Sequence, residues 1–152
     1  MVLAALLFMK KMSEETTFHI REMYDEVEGT KSKAKHTIIY RVNGPLFYGA
    51  TERFTESLKE VSHDIKNVIL VIKNVQILDS TAQESLHNFV KSCKKQNIRL
   101  IVVGANAQPI KLLQKTKLYD KIGKENFYDK IQTIIAEIKI QNASQIVPVV
   151  TE

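Results

Sequence analysis

The sequence predicts an α/β domain, with a mixed β-sheet of four to five strands flanked by about four helices. Three observations carry this reading. Residues 68–72 (VILVI) and 98–103 (IRLIVV) are continuous apolar runs rich in β-branched side chains, the pattern of strands covered on both faces. A segment with apolar residues at helical spacing follows each of them. The order along the chain is strand, strand, helix, strand, helix, strand, helix, short strand, helix, which implies helices packed on one sheet by crossover connections.

Taken in order, residues 1–9 (MVLAALLFM) are apolar and Lys10-Lys11 follow at once. The run is far shorter than the roughly 20 residues a bilayer span requires, and it lacks the basic start and cleavage site of a signal peptide. Lysines directly after an apolar helical segment fit the end of a membrane helix leaving on the cytoplasmic side. A short amphipathic helix packed on the domain or on a partner fits these residues equally well. Residues 13–35 are polar and charged and read as a linker, with a loop at 29–33 (GTKSK). Residues 37–42 (TIIYRV) are strand-like, Asn43-Gly44-Pro45 is a turn, and residues 46–48 (LFY) form a second short strand. A helix then carries Ala50, Phe54, Leu58 and Val61 on one face.

The central strand at 68–72 leads into a helix that opens at Asp79-Ser80-Thr81. Ser80 with Gln83, or Thr81 with Glu84, has the spacing of a capping box. Ala82, Leu86, Phe89, Val90 and Cys93 form its apolar stripe, and Gln83, Glu84, His87, Lys91 and Lys94 lie off it. The strand at 98–103 closes at Gly104, and Pro109 stands near a first helical position. The helix behind it presents Ile110, Leu113 and Leu118. Ile122 reads as a very short edge strand before Gly123. Phe127, Ile131, Ile134, Ile135 and Ile138 define a last amphipathic helix, and residues 142–152 form a tail.

The net charge of +5 is uneven: residues 91–152 carry +6 and residues 1–90 carry −1. A basic half can face acidic lipid, nucleic acid or an acidic partner, and its plainer role is a solvated surface. No aromatics are interleaved with these lysines as in single-strand binders, so no nucleic-acid partner is expected. The single cysteine, Cys93, leaves no internal disulfide to form and fits a core thiol. No GxGxxG, GxxxxGK[ST], GxSxG or HExxH motif occurs, and His19, His36, His63 and His87 are scattered without metal-ligand spacing. No catalytic residue, metal or cofactor is expected. The turn Asp79, Ser80 and Thr81 is the candidate site, because a strand hands over there to a helix N-terminus whose N–H groups and dipole favour an anion. Capping is the simpler role for each of these three residues.

Residues 44–50 (GPLFYGA), the Leu78-Asp79-Ser80-Thr81 turn, the IRLIVVG strand and the segment 122–128 (IGKENFY) together resemble a STAS domain. More narrowly, they resemble the one at the C-terminus of SulP-family anion transporters, which carry sulfate, bicarbonate or dicarboxylate. The resemblance covers roughly residues 35–140. It implies the anti-sigma factor antagonist-like fold, with the end of a transmembrane helix at 1–12, a linker at 13–35, the STAS domain at 36–140 and a tail at 141–152. It implies a non-enzymatic regulatory domain on the cytoplasmic face of the cell membrane. Its partners would be the transmembrane domain of the same transporter and a cytosolic regulatory protein, with homo-oligomers formed through the parent transporter. Soluble anti-sigma factor antagonists form the other branch, and they carry a phosphorylatable serine where Ser80 stands. They usually have Gly-Leu two and three residues later, where this chain has Ala82-Gln83. A soluble phospho-switch at Ser80 and a weak nucleotide-binding module are the alternative functions.

Overall fold

The computed structural model describes residues 2–15, 17–23, 37–44, 56, 65–75 and 78–144, with the backbone alone described at 2, 9, 11–15, 17–23, 80, 81 and 142–144. The expected strand at 46–48 lies outside the described residues, and so does the expected helix at 50–61 except for Glu56, which is helical and exposed. Helix α1 is Val2–Glu15 and strand β1 is Thr17–Met23. Strands β2 (Thr37–Asn43), β3 (Asn67–Asn74) and β4 (Arg99–Val103) follow, with helix α2 (Ser80–Lys95) between the last two. Helices α3 (Ala107–Lys115) and α4 (Leu118–Ile122), a 3₁₀ turn (Lys124–Asn126), strand β5 (Phe127–Tyr128) and helix α5 (Ile131–Ser144) complete the described chain.

The sheet has the order β1-β2-β3-β4-β5. β1 runs antiparallel to β2, and the other neighbours are parallel. Strand alternation sorts the side chains into two cores. Val68, Leu70 and Ile72 of β3 join Ile38, Tyr40 and Val42 of β2 and Leu100 and Val102 of β4 under α2, α3 and α4. Ile69 and Val71, with Ile39, Ile101 and Val103, face Ile134 and Ile138 of α5. The register places Ile39, Ile69 and Ile101 in one row and Tyr40, Leu70 and Val102 in the next. Both faces of β3 are therefore covered, which is why its sequence is continuously apolar rather than alternating.

The α2 stripe packs as the spacing predicts, with Ala82, Leu86, Phe89, Val90 and Cys93 all buried. Burial pushes the Cys93 thiol up to about 12, so at neutral pH it stays protonated and acts as a core group. The helix ends in a Schellman motif. Asn97 takes a left-handed φ of 56°, Ile98 N–H donates to Cys93 O at 2.9 Å, and Asn97 N–H donates to Lys94 O at 3.1 Å. The chain then enters β4 at once.

Four expectations need correction. Residues 17–23 are not linker but strand β1, paired with β2 along its length from Thr17 opposite Asn43 to Met23 opposite Thr37. This pairing satisfies the outer backbone groups of β2, which would otherwise form an open sheet edge. Ile122 is no edge strand. It closes α4 and is buried against the helical core. The edge strand is instead Phe127–Tyr128, so Phe127 does not belong to the last helix, and its ring stacks on Tyr119 at 4.3 Å between centroids. Pro109 occupies the third helical position rather than the first, still within the first turn where a missing N–H breaks no intrahelical bond.

Gly104 ends β4 with φ +72°, and a Cβ there would sit 2.9 Å from Lys73 Cβ. Its N–H donates to Tyr128 O at 2.8 Å, extending the β4–β5 pairing. Only glycine combines that φ with such a close approach to the end of β3. Gly123 likewise has φ +96°, and a Cβ would run into the carboxylate of Glu125.

Candidate functional site

The turn of interest lies at the C-terminal end of the parallel strands, where ligands of open α/β sheets commonly bind. Asp79 is the N-cap of α2, with φ −91° and ψ 171°, and its Oδ1 accepts from Ala82 N–H at 2.8 Å. Ser80 and Thr81 are thus the first two helical residues, and neither expected capping box forms at this end. Ala82 holds the third helical position, where a box would need Glu or Gln. The side chains of Ser80 and Thr81 lie outside the described residues. The structure brings all three predicted residues into one helix start and shows Asp79 in the capping role.

No local pattern in the chain signals what holds this turn. Gln108, at the start of α3, grips the backbone of Leu78 at two points. Its Oε1 accepts from Leu78 N–H at 3.1 Å and its Nε2 donates to Leu78 O at 3.1 Å. Asn106, the N-cap of α3, donates from Nδ2 to Lys73 O at 3.0 Å and to Val75 O at 3.1 Å. Two side-chain amides from the β4–α3 junction therefore hold the backbone of Lys73, Val75 and Leu78 as a further strand pairing would. The two helix starts at this end of the sheet form one hydrogen-bonded unit.

A second polar cluster lies where the start of β4 meets β5 and α5. Arg99 donates from Nε to Asn126 Oδ1 at 2.8 Å and from Nη2 to Tyr128 OH at 3.3 Å, and its Nη1 pairs with Glu137 Oε1 at 3.1 Å. Tyr128 OH donates to Glu137 Oε2 at 2.7 Å. Asn126 is buried and donates onward to Ile122 O at 2.7 Å. The Tyr128 hydrogen bond, followed by Arg99, holds the Glu137 carboxyl below the usual carboxylate range. Burial, then the Glu137 hydrogen bond, pushes the Tyr128 phenol up. A carboxylate whose folded pKa is lowered stabilises the fold above its unfolded pKa, and that stabilisation is lost as pH falls through the folded value. Glu137→Gln should therefore destabilise modestly at neutral pH, by about 1 kcal/mol or less for a pair this exposed. In urea melts the gap to wild type should close as pH drops below about 4. A gap independent of pH would sink the assignment.

Among the described residues, no group of three or more His, Cys, Asp or Glu could hold a metal ion. A cavity of about 10 Å³, lined by apolar residues including Leu70, Leu86 and Leu113, lies between the sheet and its helical cover. It has room for about one water-sized sphere and none for a nucleotide.

A family model described as STAS domain matches residues 29–134. The chain belongs to the STAS domain family. It is 35% identical over 130 residues to the putative sulfate transporter YvdB of Bacillus subtilis, covering 85% of this chain and 24% of that protein. The STAS domain thus spans about a quarter of the length of the relative it matches. Among solved structures, it resembles a sulfate transporter family protein from Wolinella succinogenes, with a TM-score of 0.63 and 26% identity over 74% of this chain and 96% of that one. The phosphorylated form of the Bacillus cell fate determinant SpoIIAA shares the fold, with a TM-score of 0.60 and 14% identity over 80% of this chain and 99% of that one.

What the 79–81 turn offers through its backbone is a set of hydrogen-bond donors. The first-turn N–H groups of a 16-residue helix point outward from a rigid base, with the positive end of the helix dipole behind them. Asp79 already uses one such group, and its charge opposes an anion placed beside it.

Proposed function

We propose that this domain is the regulatory STAS domain of a SulP-type anion transporter, set on the cytoplasmic face of the membrane that holds its transmembrane partner. The observation that carries the proposal is the 35% identity to a putative sulfate transporter over 85% of the chain. Helix α1 supports it. Leu3, Leu6, Leu7 and Phe8 are all exposed there, as on a helix meant for an apolar surrounding, and Lys10 follows. No described helix is long and apolar enough to cross a membrane. The domain does no bond chemistry; it adjusts transport or assembly through contacts, and the 79–81 turn is the surface through which it does so.

The second reading, a soluble antagonist switched at Ser80, draws on the SpoIIAA likeness and on the place of Ser80 directly after the capping aspartate. One experiment separates the two. The full reading frame containing this domain is reconstituted in vesicles, and sulfate uptake is compared for wild type, Ser80→Glu and Ser80→Ala, with folding checked by circular dichroism. Because Asp79 provides the cap, Ser80→Ala should hardly change stability. Altered uptake in folded Ser80→Glu supports a regulatory turn in a transporter. Unchanged uptake in both variants reduces the turn to a helix start, and a reading frame without transport favours the soluble switch.

A further inference from the structure

Charge on this domain is sorted by face. Residues 91–124 hold eight lysines and one arginine against a single acid, Asp120. The arginine, Arg99, is engaged by Glu137. All eight lysines are exposed. Lys91, Lys94 and Lys95 leave α2, Lys111 and Lys115 leave α3, and Lys121 leaves α4 with a further lysine on each side of that helix. The three helices cover the same face of the sheet, so their outer surfaces share one side of the domain. Lys121 Nζ reaches within 3.5 Å of the ring nitrogens of His87, joining the α4 and α2 stripes across the helix boundary. Glu84 and Glu125 are the acids just outside the span. The α5 side is balanced, with Asp129 and Glu137 beside Lys130 and Lys139.

We infer that the α2–α3–α4 face is an electrostatic docking surface for anionic phospholipid headgroups. Clusters of four to eight basic residues on a helical surface bind acidic leaflets in this way. The residue type fits. Lysines are flexible point charges suited to diffuse headgroups, whereas paired recognition of fixed carboxylates or phosphates favours arginine, and the only arginine in the span is already engaged. Tyr119, the one aromatic residue in the sequence from 91 to 124, is half-buried and stacked on Phe127, so it offers no platform for bases. The exposed leucines of α1 give the same chain a second, apolar attraction to lipid, and two weak signals together make stable attachment. The inference does not depend on the transporter reading.

The test is co-sedimentation of the full chain with phosphatidylcholine vesicles, with and without about 30% phosphatidylglycerol. Wild type is compared with the folded variant K91Q/K94Q/K111Q/K115Q/K121Q and with the control K130Q/K139Q. Helix α1 is intact in all three, so differences report the basic face. Wild type and the control should bind anionic vesicles at least about tenfold more tightly than neutral ones, and the five-site variant should lose most of that preference. Salt at about 0.5 M should remove it from wild type, a measurement that needs no variant. Equal binding to both vesicle types, or a preference unchanged in the five-site variant or at high salt, overturns the inference. So does tighter binding to polyglutamate or to a single-stranded oligonucleotide than to anionic vesicles, because the face would then serve an acidic protein or a nucleic acid.

Discussion

Phe89→Ala should cost about 3–5 kcal/mol of stability, the range for emptying a buried aromatic site. Phe89 is fully buried in the middle of the α2 stripe and belongs to the same core as Leu86, Val90 and the inner side chains of β2, β3 and β4. Close packing leaves nothing nearby able to fill the volume without moving a strand or a helix. Asn88, its exposed neighbour, is the control, and Asn88→Ala should lie within about 0.5 kcal/mol of wild type. Urea denaturation of the three proteins decides the matter. A loss below about 1 kcal/mol at Phe89 would mean that the helix does not seat on the sheet as described.

The second large effect is expected on the opposite face. Ile134 is fully buried on the inner side of α5, and with Ile138 it closes the smaller core over Ile69 and Ile101. Ile134→Ala should cost about 2–5 kcal/mol, while Thr133→Ala, on the exposed side, should cost little. The smaller core has fewer members, so its loss should loosen α5 before the rest of the sheet. Hydrogen exchange would show this as α5 amides losing protection ahead of those in β3. Equal effects of the two substitutions would mean that the other side of the helix faces the sheet.

The central elements were legible in the sequence because they are long and fully covered. β3 and β4 carry continuous apolar runs rich in β-branched residues, and the α2 stripe repeats over about three turns, so local pattern and tertiary burial agree. Asn97, just before the IRLIVV strand, could have marked the end of α2, since asparagine tolerates the left-handed turn there. β1 was hidden because Phe18, Ile20 and Met23 do not alternate cleanly and charged residues lie among them. Its partner is β2, and single-sequence periodicity carries no information about pairing. β5 spans two residues, too few for any period, so Phe127 read as part of the helix that follows. The helix start at Asp79-Ser80-Thr81 was legible from the change of pattern, but its supports were not. Gln108 reaches Leu78 across 30 residues and Arg99 reaches Glu137 across 38. An isolated glutamine or arginine gives no local sign of such a partner.

The joint between α1 and β1 has a mechanical consequence. Thr16 is the single residue between Glu15 and Thr17, so the helix end and the first strand residue can be at most about 7 Å apart. Each residue carries two rotatable backbone dihedrals, so a one-residue joint limits distance and not direction. A pull on α1 along the chain therefore reaches β1, an edge whose ladder of hydrogen bonds to β2 resists slipping by one residue. Lengthening the joint with a few glycines would give that pull slack to take up first.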